Sequence, residues 1–355
     1  MTRTAKYVGL DVHQATIVGV VRDASGRVID RRILPTDAAA LSAFLSTMRG
    51  CIHVVFEEGT QAQWLYDLLE PLVDRVVVCN RRETARHGNK NDWQDAAELA
   101  ELLRRDAVRA VYHTRSPQAA ELKELARLYL GLVGDSTRVM ARLKALYRAR
   151  AICTRGRLVY NPTVRSEWLA KLPAGATRFR AELLYAELEV IQRLRQRAKA
   201  ALLTAARRQP EWAGLRAIPG LGLVRVALLL ALVQTPWRFR TKRHLWAYAG
   251  LAVTTRASAQ FAFANGAPVR QRRAPLTRGL NRNHHPVVKA IFKSAATTAL
   301  TRPGALQAYY DQLVTGGMRA EMARVTLTRK LAAVTLHIWK TGDAYDPAKL
   351  TAAAG

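Results

Sequence analysis

Tyr7-Val8-Gly9-Leu10-Asp11 is a short apolar run that closes on a carboxylate. It and the next run, Thr16-Ile17-Val18-Gly19-Val20-Val21, have the β-branched character of strands, and Val28 to Leu34 follows after the turn signal Ala24-Ser25-Gly26. Thr36 can cap a helix that runs through Met48. Ile52 to Phe56 reads as a buried strand, Ala62 to Leu72 as a helix and Val76 to Cys79 as a fifth strand. A polar loop, Asn80 to Asn91, leads into Asp92 to Arg104, where Ala96, Leu99 and Leu103 share one helical face. The order βββαβαβ matches a ribonuclease-H-like α/β domain over residues 1–110.

Beyond it the pattern turns helical. Residues 111–210 carry apolar stripes, Leu122, Leu125, Leu128 and Leu132, then, past a break at Arg155 to Pro173, Leu183, Leu184, Leu188, Ile191 and Leu194. Such stripes pack against each other as a coiled hairpin, against a second subunit, or into an ordinary helical core. Residues 211–345 form a further, mainly helical domain, so the chain as a whole reads as α/β plus all-α. Helices are expected after Gly222 through Val233, around Thr241 to Gly250, over Pro286 to Leu300 and over Met318 to Trp339. Between them, Ala252 to Arg278 is irregular or β-like, with a turn at Asn265-Gly266.

The charge divides the chain in the same way. Residues 1–110 hold 15 Lys+Arg against 15 Asp+Glu, and residues 111–355 hold 41 against 12. From Trp212 to Tyr310 there are 15 Lys+Arg and no acid. A net charge of +29 repels itself unless a polyanion neutralises it, which points to nucleic acid as the partner of the second part, ahead of an anionic membrane or protein. Cys51, Cys79 and Cys153 have neither zinc spacing nor a paired framework. The most apolar stretch, Val226 to Val233, is too short to span a bilayer, and Met1 to Lys6 lacks a signal-peptide core, so a cytoplasmic, nucleoid-associated protein with no membrane partner is expected.

Four acids fall where such a domain would bring them together. Asp11 ends the first strand, Glu57 ends the fourth, and Asp92 and Asp95 share one face at the start of the following helix. Glu57 and Glu58 are adjacent, so only one points inward, and Glu57 is the choice. Crowded carboxylates repel, and hard divalent cations relieve that repulsion through oxygen ligands. Two Mg²⁺ about 4 Å apart could activate the attacking oxygen and stabilise the leaving one in phosphodiester chemistry. The plainer reading of Asp92 is a helix cap or dipole partner.

Gly9-Leu10-Asp11-Val12-His13, Phe56-Glu57-Glu58-Gly59-Thr60, Lys90-Asn91-Asp92-Trp93-Gln94-Asp95-Ala96, Ile218-Pro219-Gly220-Leu221-Gly222 and Tyr248-Ala249-Gly250-Leu251 together carry a family pattern over nearly the whole chain. The sequence resembles a DEDD-type transposase of the insertion sequence 110 family, nearest its 1111 subgroup. The resemblance implies a Holliday-junction-resolvase-like domain with its acids at Asp11, Glu57, Asp92 and Asp95, a dimer-forming helical segment, and a C-terminal domain with a nucleophilic serine. That role would fall on Ser258, the only serine in Thr254-Thr255-Arg256-Ala257-Ser258-Ala259-Gln260. Without the family, a lone loop serine is unremarked polar surface. The resemblance also implies a noncoding RNA from the element, which would choose donor and target DNA by base pairing.

Pro219-Gly220-Leu221-Gly222 resembles a helix-hairpin-helix turn whose backbone N–H groups receive phosphate, although a proline-led helix start looks the same. Arg270, Arg272, Arg273, Arg278 and Arg282 suit backbone contacts to DNA or RNA. His284 and His285 could be metal ligands but have no neighbouring Cys or acid. The expected activity is therefore strand cleavage and rejoining by a dimer or tetramer. Its rivals are a water-using, structure-selective nuclease and a non-catalytic nucleic-acid-binding protein.

Overall fold

Alternation along the first strand builds the N-terminal sheet. The computed structural model describes residues 4–80, 91–113, 116–256, 260–264, 267–271 and 276–350. β1 (Ala5–Val12), β2 (Thr16–Asp23) and β3 (Val28–Pro35) form an antiparallel meander, after which come α1 (Ala38–Ser46), β4 (Cys51–Glu57), α2 (Ala62–Leu69), β5 (Arg75–Cys79) and α3 (Asp92–Arg104). β4 lies parallel to β1, and β5 parallel to β4, giving the order β3-β2-β1-β4-β5. Val8 and Leu10 face one side, with Leu41, Phe44 and Leu45 of α1 and Leu65 and Leu69 of α2. The other face carries Val18, Val20, Val55, Val77 and Cys79 against Ala96, Leu99 and Leu103 of α3. Each leucine so buried stabilises the domain by about 1.5–3 kcal/mol.

Gly9 decides how closely α3 approaches. A Cβ there would overlap the Ala96 carbonyl oxygen and lie 2.6 Å from the Ala100 amide nitrogen, so helix and strand pack backbone to backbone. Arg22 donates to the Ala97 carbonyl at 3.2 Å, and Arg104 to the Ala24 carbonyl at 3.2 Å, tying α3 to the β2–β3 hairpin. Hydrogen bonds from Arg104, and then from Arg105, hold the Glu101 carboxyl down at about 2 against partial burial. Asp37, one residue after the expected Thr36, caps α1 by accepting from the Ala40 amide at 2.7 Å. Thr36 instead donates its hydroxyl to the His13 carbonyl at 3.0 Å, because the chain is still extended there.

Residues 116–355 form the second compact unit. α4 (Pro117–Arg148) and α6 (Ala176–Arg207) are packed together as a hairpin, with the short α5 (Arg165–Ala170) in the connection between them. Each 32-residue helix is about 48 Å long. Near the connection, Val139, Leu143, Trp168, Leu184 and Leu188 enclose Tyr147 and Tyr185, whose hydroxyls are 3.1 Å apart; Tyr185 also donates to the Val159 carbonyl. Burial pushes the Tyr185 phenol well above its usual range.

At the other end, Leu122, Ala126, Leu202 and Ala206 enter a larger core. That core is shared with α8 (Leu223–Val233), α10 (Pro286–Ala299) and α12 (Ala320–Thr341), with α7 (Trp212–Arg216), α9 (Lys242–Tyr248) and α11 (Ala305–Thr315) around them. Two antiparallel ribbons occupy the β-like stretch: β6 (Val253–Arg256) with β9 (Leu276–Leu280), and β7 (Gln260–Ala264) with β8 (Ala267–Gln271). The turn expected at Asn265-Gly266 lies outside the described residues. Of the stripes read from the sequence, Leu184 and Leu188 are buried, whereas Leu128, Leu183 and Leu194 are exposed.

Candidate metal centre and nucleic-acid interface

The C-terminal ends of β1 and β4 open on a cleft of about 480 Å³ lined by Asp11, His13, Glu57, Glu58 and Thr60, among others. The parallel register pairs Leu10 with Phe56, so the next step sets Asp11 beside Glu57. Glu57 also pairs with Cys79, whose side chain belongs to the α3 face, and residues paired across parallel strands share a face. Glu58 is instead 3.5 Å from the Asn80 amide.

α3 brings the other acids. Asn91 caps it by accepting from the Trp93 amide at 3.0 Å, which starts the helix at Asp92 and puts two carboxylates in its first turn, where the helix dipole favours them. Because α3 lies directly on Gly9, two residues before Asp11, Asp92 reaches the strand end. His13 Nε2 lies 3.2 Å from Asp11 Oδ2 and 3.3 Å from Asp92 Oδ2. Among the described residues, these three side chains bring ligand atoms within 4.8 Å of one another. Glu57 is exposed at the same strand end and Asp95 is buried on α3; neither belongs to that group of three.

The donor set fits a divalent cation. Asp11 Oδ2 and His13 Nε2 are buried atoms with no hydrogen-bond partner, and two carboxylates aimed at one point repel unless a positive charge lies between them. His13 had no assigned role in the sequence, since nothing in a lone histidine two residues past a strand-end acid says that the turn folds its ring back over that acid.

In the second unit, a cleft of about 400 Å³ is lined by Arg216, Gly220, Gly222, Arg225 and Arg302, with neighbouring apolar residues. The two glycines differ. Gly220 has φ +86, and a Cβ there would overlap the Ala295 carbonyl oxygen of α10, whereas Gly222 has nothing within 4 Å. Gly220 therefore serves packing, while Gly222 leaves the start of α8 open to approach. Gly220→Ala should cost about 2–3 kcal/mol in chemical denaturation and Gly222→Ala under about 0.5 kcal/mol. Equal losses would contradict this division. Arg225 donates to the Ser294 hydroxyl and the Gly220 carbonyl, and its burial lowers its pKa.

Ser258, Arg272 and Arg273 lie outside the described residues; Arg270 is in β8, Arg278 in β9, and Arg282 is exposed just after β9. His285 caps α10, Nδ1 accepting from the Val288 amide, and burial, then Arg238, lowers its pKa toward the neutral acceptor form. His284 packs its ring against Gly250. Trp237, unremarked in the sequence, is 71% exposed, with Lys340 Nζ 5.2 Å from its ring centre and exposed Arg240, Lys242 and Arg243 a few residues further along the chain.

Residues 8–149 match a DEDD-type family of the IS110 group described as a transposase. Residues 213–311 match the family described as Transposase IS116/IS110/IS902. The insertion element IS110 uncharacterized 43.6 kDa protein of Streptomyces coelicolor is 33% identical over 132 residues, 37% of this chain and 29% of that protein. The chain thus spans under a third of the length of this curated relative. Among the described residues, no helix is long and apolar enough to cross a membrane.

Proposed function

The chain belongs to the IS110 family of transposases, and from that premise we propose that it excises and inserts a mobile DNA element by divalent-metal-dependent strand cleavage and rejoining. The observation that carries this reading is the meeting of Asp11 and Asp92 at the strand ends, with a buried carboxylate oxygen left without a hydrogen bond. The strand order and the α3 crossing support a ribonuclease-H-like domain, in which Asp11, Glu57, Asp92 and Asp95 hold Mg²⁺, two ions in all. Bound there, the ions would polarise a phosphoryl oxygen and favour deprotonation of the attacking hydroxyl.

Ser258 supplies that hydroxyl. Its oxygen forms a bond to the phosphorus as the bond to the DNA 3′ oxygen breaks; the serine proton is lost and the 3′ oxygen gains one. The 5′ phosphate remains on Ser258 until a second 3′ hydroxyl displaces it, so bond energy is conserved for rejoining. Arg216, Arg225, Arg270, Arg272, Arg273, Arg278, Arg282 and Arg302 grip phosphates, assisted by the open α8 start at Gly222 in a helix-hairpin-helix manner. Trp237 stacks on an unpaired base. A noncoding RNA from the element chooses the DNA sites, and Phe179, Leu183, Val190 and Leu194, exposed along α6, support a dimer or tetramer. The working place is the cytoplasm, at the nucleoid.

The test is a covalent adduct. With a cognate DNA junction and Mg²⁺, the parent protein should leave a protein–DNA adduct that survives denaturation, while Ser258→Ala should leave none and lose cleavage by about 10³-fold or more. If Ser258→Ala cuts as fast as the parent, the strand is broken by water and the recombinase reading fails.

A further inference from the structure

We infer that His13 is itself a metal ligand, a nitrogen donor in an otherwise carboxylate site, and that it tilts this protein toward Mn²⁺ over Mg²⁺. The inference rests on the metal-site reading above and goes beyond it, because it adds a donor and predicts a preference.

The geometry sets one ring nitrogen between the two acids. His13 Nε2 is 3.2 Å from Asp11 Oδ2 and 3.3 Å from Asp92 Oδ2, yet it makes a directed hydrogen bond to neither. One N–H can point at only one acceptor, whereas a lone pair directed into the space between the two acids is what a cation would use. Donors about 2.1 Å from a shared ion sit about 3.0–3.4 Å apart, which is the spacing found here. Asp11 Oδ2 and His13 Nε2 are both buried and neither has a hydrogen-bond partner, although they lie within ion-pair distance of each other, so two adjacent lone-pair donors face the same space.

Hydrogen bonds fix the turn that carries the ring. His13 begins the turn between β1 and β2, where its amide donates to the Thr16 carbonyl at 2.9 Å. Its own carbonyl accepts the Thr36 hydroxyl at 3.0 Å, and the Thr36 amide reaches the Ala15 carbonyl at 3.1 Å. The turn is thus fastened from within the hairpin and from the approach to α1. A donor carried on a fixed turn has less backbone freedom to lose on binding an ion.

The preference follows from donor chemistry. Mg²⁺ favours oxygen and sheds water reluctantly, whereas imidazole suits later divalent ions, and Mn²⁺ accepts a mixed set. Full-length protein loaded with Mn²⁺ should show histidine nitrogen coupling in pulsed electron paramagnetic resonance, and both His13→Gln and His13→Asp should lose it. Calorimetry should find Mn²⁺ bound at least about tenfold more weakly by His13→Gln, with Mg²⁺ affinity changed less than about threefold. His13→Asp, which restores an oxygen donor, should bind Mg²⁺ as well as the parent.

Failure has two separable forms. Mn²⁺ that binds the parent, is lost in Asp11→Asn and shows no nitrogen coupling overturns the role of His13 and leaves the metal site standing. Mn²⁺ that binds neither protein, or both alike, overturns the site itself. The parent spectrum alone decides the question if a variant fails to fold.

Discussion

Asp11→Asn should lower DNA cleavage by about 10³-fold or more and remove the response of the protein to divalent metal, with the fold unchanged. The amide has the shape of the carboxylate, and Asp11 sits at 17% exposure near the end of β1, where its backbone pairing with Val18 does not depend on the side chain. What changes is charge. In metal-free buffer the substitution removes one of two converging negative charges, so the variant should melt no lower than the parent. With metal at about 100 times its dissociation constant, the parent gains about 2.7 kcal/mol from binding, and the variant should gain almost none. Calorimetric melts of both proteins, with and without Mn²⁺, measure the effect before any DNA is added. Equal metal-induced shifts in the two would remove Asp11 from the site.

Gly9→Ala should be the most damaging small substitution in the N-terminal unit, at about 3 kcal/mol. Its Cβ meets main-chain atoms of Ala96 and Ala100, which cannot rotate away as a side chain would, so α3 must lift from β1. Gly19 is the control. It lies in the next strand facing the opposite side, where a Cβ would be 3.3 Å from the Phe44 ring edge, a contact the ring can yield. Gly19→Ala should therefore cost within about 1 kcal/mol. Lifting α3 also draws Asp92 from Asp11, so Gly9→Ala should weaken Mn²⁺ binding even where the protein remains folded. Urea titrations of the two variants give the stability difference, and calorimetry gives the metal affinity. If Gly9→Ala unfolds no more easily than Gly19→Ala, α3 does not rest on the strand as described.

Much of this was legible in the residues. The five strands and three helices of the first unit follow from apolar runs, turn signals and helical spacing, and observed ends lie within a few residues of the expected ones. Misplacement came where two polar residues competed. Thr36 and Asp37 can both cap a helix, and Asp37 does so because Thr36 is held by the His13 carbonyl, a contact across 23 residues. α11 went unread because it fully buries only Leu306, its other core contacts being partly buried residues such as Tyr309 and Tyr310. The hairpin stripes were visible as stripes, but their partners were not. Leu183 and Leu184 are neighbours in sequence, yet one is exposed and the other buried, since a helix turns about 100° per residue.

By itself the sequence determined the local periodicities, the separation of a charge-balanced first part from a basic second part, and the presence of acids at strand ends and a helix start. Those are properties of near neighbours and of composition. Only the tertiary structure decided that Asp11 and Asp92 share a point in space with His13, while Asp95 is buried on α3 and Glu57 exposed at the strand end. The reason is steric. A helix laid on a strand stops where atoms first touch, and here the missing side chain at Gly9 sets that distance and, through it, the meeting of residues some 80 positions apart.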